Sequence, residues 1–122
     1  MAIKANSKFA EDIEHAVNFT VQKFGALNIL VNNAGILALG TVDDFTVEAL
    51  DELYAVNVRA IYIAARACAK VMQRGDRIIT IGSVSGERAG FVGSSGYCMS
   101  KSAMIGMVRG LAQDFAARGI TV

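Results

Sequence analysis

Tyr97 and Lys101 stand four residues apart in the stretch GYCMSK, Gly96 to Lys101. On a helix that spacing puts the phenol and the amine on one face, where the side chains can meet. A free phenol has a pKa of about 10, too high for easy proton exchange near neutrality. A neighbouring ammonium favours the phenolate and lowers that pKa. Such a pair could make Tyr97 a general acid or base. The same spacing also occurs on helices where tyrosine packs and lysine lays its stem along an apolar surface. Small residues at Ser94, Ser95, Gly96 and Ser100 would let a flat ligand approach.

Three other polar features fall in telling places. NNAG follows an apolar run ending at Val31, and Ser83 follows the run RIITIG, Arg77 to Gly82. Both therefore sit at the carboxyl ends of expected strands, on one rim of a sheet. Asn57 lies on the apolar stripe Leu50, Leu53, Asn57, Ile61, Ala64, Cys68, Val71. A buried amide costs roughly 1–3 kcal/mol unless it is hydrogen-bonded. Asn57 is thus either satisfied by a core partner or held for chemistry.

The elements that must position these residues can be read from periodicity. AIKA, Ala2 to Ala5, reads as a short strand. Ser7 reads as a cap, followed by Phe9, Ile13, Val17, Val21 and Phe24 at helical spacing until Gly25. LNILV reads as a strand, residues 46–73 as a long helix ended by Gly75, and RIITIG as a second β-branched strand. A Gly/Ser-rich loop, Ser83 to Gly96, leads into a helix over about 97–117, and ITV opens another strand. Short apolar strands alternating with amphipathic helices predict an α/β fold, a parallel sheet covered on both faces. Ligands bind outside the carboxyl ends of such strands.

The 122 residues predict a single domain, 1–122, with 53 % hydrophobic and 19 % charged residues, enough apolar material for a packed core. A formal net charge of +1 gives no reason to expect nucleic acid or a membrane surface as partner. No apolar run approaches the roughly 18 residues that span a bilayer. The two cysteines, Cys68 and Cys98, read as unpaired thiols in a reducing, cytoplasmic compartment. The single histidine, His15, has no ligand partner at a useful spacing, so no metal site is expected.

Taken together and in this order, ILVNNAG, VNV, IGSVSG and YxxxK resemble the short-chain dehydrogenase/reductase family, over nearly the whole chain. The chain is most similar to the 3-oxoacyl-carrier-protein reductase-like branch, and its tail KSAMIGMVRGLAQDFAARGITV supports that likeness. The resemblance implies an NAD(P)-dependent oxidoreductase with NADP or NAD as cofactor and a small carbonyl or alcohol substrate. It implies Tyr97 as proton donor or acceptor and Lys101 as the group that lowers the phenol's pKa and holds the nicotinamide ribose. Ser83 would orient the substrate carbonyl, and Asn57 would tie a water into a proton relay reaching Lys101. Asn33, Ala34 and Gly35 would line the adenine-ribose side of the cofactor site, and Asn6 stands where relatives carry an Asp near adenine.

The resemblance also implies a partial Rossmann-type doubly wound sheet, without the family's first two strands and its C-terminal strand and lid. The glycine-rich turn that seats the pyrophosphate at a helix N-terminus would lie in that first part. Asn28, like Asn6, replaces a common Asp. The chain has no proline, where average usage of about 5 % predicts roughly six, and Gly90 and Val92 occupy a loop that often carries proline. With the central strands absent, AIKAN and LNILV should either pair directly or separate. The chain alone should be marginal or rescued by homo-oligomer formation through the 46–73 and 97–117 helices.

Overall fold

The computed structural model describes residues 1–122. Along the chain run helix α1 (Ala10–Phe24), strand β1 (Ile29–Asn32), helix α2 (Val47–Tyr54), a π-helical turn (Ala55–Arg59) and helix α3 (Ala60–Cys68). Strand β2 (Arg77–Thr80), a 3-10 turn (Val84–Gly86) and helix α4 (Ser95–Ala116) complete the order. β1 and β2 pair in parallel, with Leu30 opposite Ile78 and Val31 opposite Ile79. Thr121 adds one parallel bridge at Arg77. The α/β order and the parallel pairing agree with the sequence reading.

Two expectations fail. Ala2–Ala5 forms no strand; of the two outcomes expected for it, pairing with LNILV or separation, it is separate. The short, mostly apolar stretch suits a strand, but no ladder of hydrogen bonds to β1 or β2 fixes one. The chain instead enters a turn built on Asn6, whose side-chain oxygen accepts from Lys8 N at 3.0 Å while its carbonyl accepts from Phe9 N at 3.0 Å. The helix therefore starts at Ala10 rather than beside Ser7, and Asp12 in its first turn accepts from Asn6 N at 2.8 Å.

The second failure concerns the layers. Val17 of α1, Ala65 and Cys68 of α3, and Leu111 and Phe115 of α4 all pack with Ile78 and Ile120 in one core, and Leu30 lies against it. All the helices of the core thus cover one face of the sheet. On the other face Ile29, Val31, Ile79 and Ile81 are 45–61 % exposed. Residues two apart on a strand share a face, so these four form a bare apolar strip.

The long helical signal is real but interrupted. Thr46 caps it, its hydroxyl accepting from Ala49 N at 3.1 Å, as a threonine N-cap should. The five-residue π turn then widens the helix, so that Val56, Asn57 and Val58 are buried in succession. On a regular helix three consecutive side chains span about 200°, so burying all three requires cover on more than one side. Bulges of this kind are common where a helix must deliver a functional side chain.

Candidate active site

β1 ends where Asn33 N donates back to Val31 O at 3.1 Å. The chain then runs through Asn33, Ala34 and Gly35 to Ile36, over the π turn. Asn57, 1 % exposed, meets it there. Its Oδ1 accepts from Ile36 N at 2.8 Å, and its Nδ2 donates to Ile36 O at 2.9 Å and to Ser100 Oγ at 3.1 Å. The buried amide is therefore fully satisfied, and it pins the loop after β1 to the long helix and to α4.

The Nζ of Lys101 lies beside this junction. A Cβ added to Gly35 would come 3.3 Å from Asn57 Oδ1 and 3.7 Å from Lys101 Nζ, so glycine leaves room that a larger residue would crowd against Asn57. Lys101 is 8 % exposed. Its single acceptor is Ile81 O at a long 3.4 Å, and the Tyr97 ring centre is 5.8 Å from Nζ. The predicted meeting of Tyr97 and Lys101 on one helix face is thus present, with the ring half-buried.

Ser83 stands on the 3-10 turn after β2 and shares a cavity of about 350 Å³ with Lys101, Thr80, Gly82 and Met104. Its Oγ accepts from Ser85 N at 3.2 Å, which holds the turn. The turn docks closely on α4: a Cβ on Gly86 would lie 2.9 Å from the Lys101 carbonyl oxygen, and Ser102 Oγ donates to Gly86 O at 2.7 Å. Asn33 and Ala34 line a separate, mostly apolar groove of about 180 Å³ with Ala5, Ser7 and Val56. Asn6 lies in sequence between two residues of that groove, but its side-chain oxygen is engaged in its own turn.

The structure thus gathers Gly35, Asn57, Tyr97 and Lys101 at one junction, sets Ser83 in a cavity lined by Lys101, and leaves Asn33 and Ala34 along the neighbouring groove, which Asn6 does not line. Sequence reasoning missed the parts played by Ser100 and Gly86. Their only signal was small size at a helix face and a turn, which does not name the atoms they meet.

Comparison with known proteins adds the family. Residues 1–122 match the short chain dehydrogenase family. A cyclic-di-GMP-binding biofilm dispersal mediator protein of Escherichia coli is 47 % identical over 107 residues, 88 % of this chain and 45 % of that protein. A trihydroxynaphthalene reductase of Pestalotiopsis fici is 34 % identical over 122 residues, 100 % of this chain and 43 % of that one. A Burkholderia cenocepacia short chain dehydrogenase solved in complex with NADP superposes with a TM-score of 0.97 at 44 % identity, covering 99 % of this chain and 49 % of its own. The chain spans about half the length of the curated relatives it matches. Its fold is accordingly a partial Rossmann-type α/β fold, and with the match running from end to end, the chain belongs to the short-chain dehydrogenase family.

Proposed function

We propose that this chain carries the proton-transfer half of an NAD(P)-dependent oxidoreductase that interconverts a carbonyl and an alcohol. The observation that carries the reading is Lys101. An amine so nearly buried, with one long acceptor and no carboxylate, is short of polar partners, and burial without partners is costly. Ribose hydroxyls would supply them, and Gly35 leaves the backbone low enough for close approach. The residues present fit the nicotinamide-ribose end of the cofactor, NADP or NAD. Asn33 and Ala34, with Asn6 nearby, would border its adenine side along the groove after β1. A bound nicotinamide would supply the hydride.

The chain's own residues do the rest. Tyr97 gives its phenolic proton to the carbonyl oxygen on reduction and takes one back on oxidation. Ser83 donates a hydrogen bond to that same oxygen and so fixes the carbonyl. Lys101 would hold the ribose hydroxyls, and Asn57 holds the loop that carries Gly35. A 3-oxoacyl thioester is the first substrate to assay, because the tail from Lys101 resembles that branch. The names of similar proteins, among them a (+)-borneol dehydrogenase and a trihydroxynaphthalene reductase, make cyclic ketones the second set. A cytoplasmic setting belongs to this reading, supported by two free thiols. Contact between copies through α2–α3 and α4 belongs to it too, supported by half-exposed Tyr54, Tyr62 and Met99 on those helices.

The test is Tyr97→Phe. Turnover with NADPH and a ketone should fall roughly a hundredfold or more, the usual worth of a positioned acid, while NADPH binding by fluorescence titration stays within twofold. Equal loss of both would sink the assignment of Tyr97 as the proton donor.

A second reading has its own support. The E. coli relative at 47 % identity is named for binding cyclic di-GMP, so the chain could bind a nucleotide without turning over. Adding cyclic di-GMP to the NADPH titration separates the two. Saturable binding of cyclic di-GMP with no oxidation or reduction of any carbonyl or alcohol favours the binding module.

A further inference from the structure

The Ser100 hydroxyl is wholly buried and joins separate parts of the site. It accepts from Asn57 Nδ2 at 3.1 Å and donates to the Tyr97 carbonyl at 2.8 Å. The directions of these bonds are fixed by chemistry. Ile36 N–H can only donate, so Asn57 Oδ1 must face it at 2.8 Å. That leaves Nδ2 for Ile36 O and for Ser100, and Ser100 then has its own proton free for Tyr97 O. One chain of hydrogen bonds therefore runs from the loop after β1, through the π turn, to the first turn of α4. Alanine at this position would suit the helix better than serine, so helix formation does not explain the hydroxyl.

We propose that Ser100 is a positioning residue: its hydroxyl holds Asn57 against α4 and thereby sets where Ile36 and Gly35 stand relative to Lys101 and Tyr97. What the aligned groups do rests on the oxidoreductase reading; the alignment itself does not.

The test is hydrogen exchange by NMR on the full 15N-labelled chain, tracking the Asn57 side-chain amide and the Ile36 backbone N–H. In Ser100→Ala both should exchange roughly tenfold faster, the worth of one buried hydrogen bond, while the core amide of Ile78 is unchanged. Ser102→Ala deletes a hydroxyl of the same kind, bonded to Gly86 O at 2.7 Å, and should leave the Asn57 and Ile36 rates as they are. Ser100→Cys is nearly isosteric with a weaker donor and acceptor; its rates should fall between, and it takes the place of alanine if that variant does not fold. An Asn57 rate equal to the parent's overturns the proposal, and so does a uniform rise at all amides, which is what a general loss of stability would give. An NADPH titration then checks use. Faster Asn57 exchange with NADPH affinity unchanged overturns the positioning role. A parent chain that binds no NADPH overturns the cofactor reading instead, and the exchange rates alone decide for Ser100.

Discussion

At the far end of the sheet from Lys101, Asp76 fastens the fold. Its Oδ2 accepts from Gln73 N at 2.7 Å and its Oδ1 from Asn28 Nδ2 at 2.9 Å. The Gln73 bond first, then the Asn28 bond and the charge of Arg77, hold the Asp76 carboxyl below its ordinary value of 3.8. A carboxyl lowered on folding stabilises the fold above its unfolded pKa, and that stability drains away as pH falls through the folded value. Asn28→Asp would replace the donor by a second carboxylate. At pH 7 it should lower the Tm more than Asn28→Ala does, because it adds repulsion to the lost bond. Below about pH 4, where model carboxyls take up protons, the gap between the two variants should close; a gap that persists there would refute the repulsion. Asp76 was not visible as a fastener in the sequence, because its partners lie 3 and 48 residues away. Tyr97 and Lys101 were visible because both partners lie on one helix. Asn57 was visible only as an anomaly, a polar residue on an apolar stripe, and its partner Ile36 is 21 residues distant.

The helices and the strands β1 and β2 were legible from period and end signals, within a few residues, whereas the strand expected at Ala2–Ala5 does not form. Thr46, Gly25 and Gly119 mark real ends: Gly25 and Gly119 take φ of 83° and 68°, which favours glycine. The π turn was not legible, since a stripe averaging 3.6 residues per turn passes over one widened turn unnoticed. Nor was the docking of the 3-10 turn on α4, which depends on what Gly86 lacks. A Cβ there would meet the Lys101 carbonyl oxygen at 2.9 Å and its carbon at 3.0 Å. Both are backbone atoms inside a helix and cannot give way, so in Gly86→Ala the turn must move and carry Ser83 with it. We expect a stability loss of about 1–3 kcal/mol, typical of overpacking, and a fall in turnover larger than that of Ser102→Ala, which only loses the neighbouring hydrogen bond. Melting curves and rates measured side by side decide it: turnover equal to the parent's in a folded Gly86→Ala chain would show that the turn does not hold Ser83.

Over the whole molecule, the expected two-sided sheet is one-sided. Periodicity gives each element an apolar side but not the number of elements available to cover it. Leu30 and Ile78 face the helices, while Val31 and Ile79, paired across β1 and β2, face outward with Ile29 and Ile81. Contiguous exposed apolar surface of this kind drives association, and a two-stranded parallel sheet offers little to resist it. Two kinds of association then become separable. Contact through the helices would give a defined stoichiometry by light scattering, broken by Tyr62→Glu at a 53 % exposed position. Contact through the sheet would be open-ended, with strong binding of a hydrophobic dye. The double substitution Val31→Thr with Ile79→Thr keeps β-branched residues on the strands and interrupts the apolar strip at its paired centre, leaving Ile29 and Ile81. It should cut dye binding and slow aggregation several-fold while leaving helix-mediated stoichiometry intact, with stability changed by only about 0.5 kcal/mol per surface site. Unaltered aggregation in that variant would mean that the sheet face is not the sticky surface, and Tyr62→Glu would then show whether the helices are.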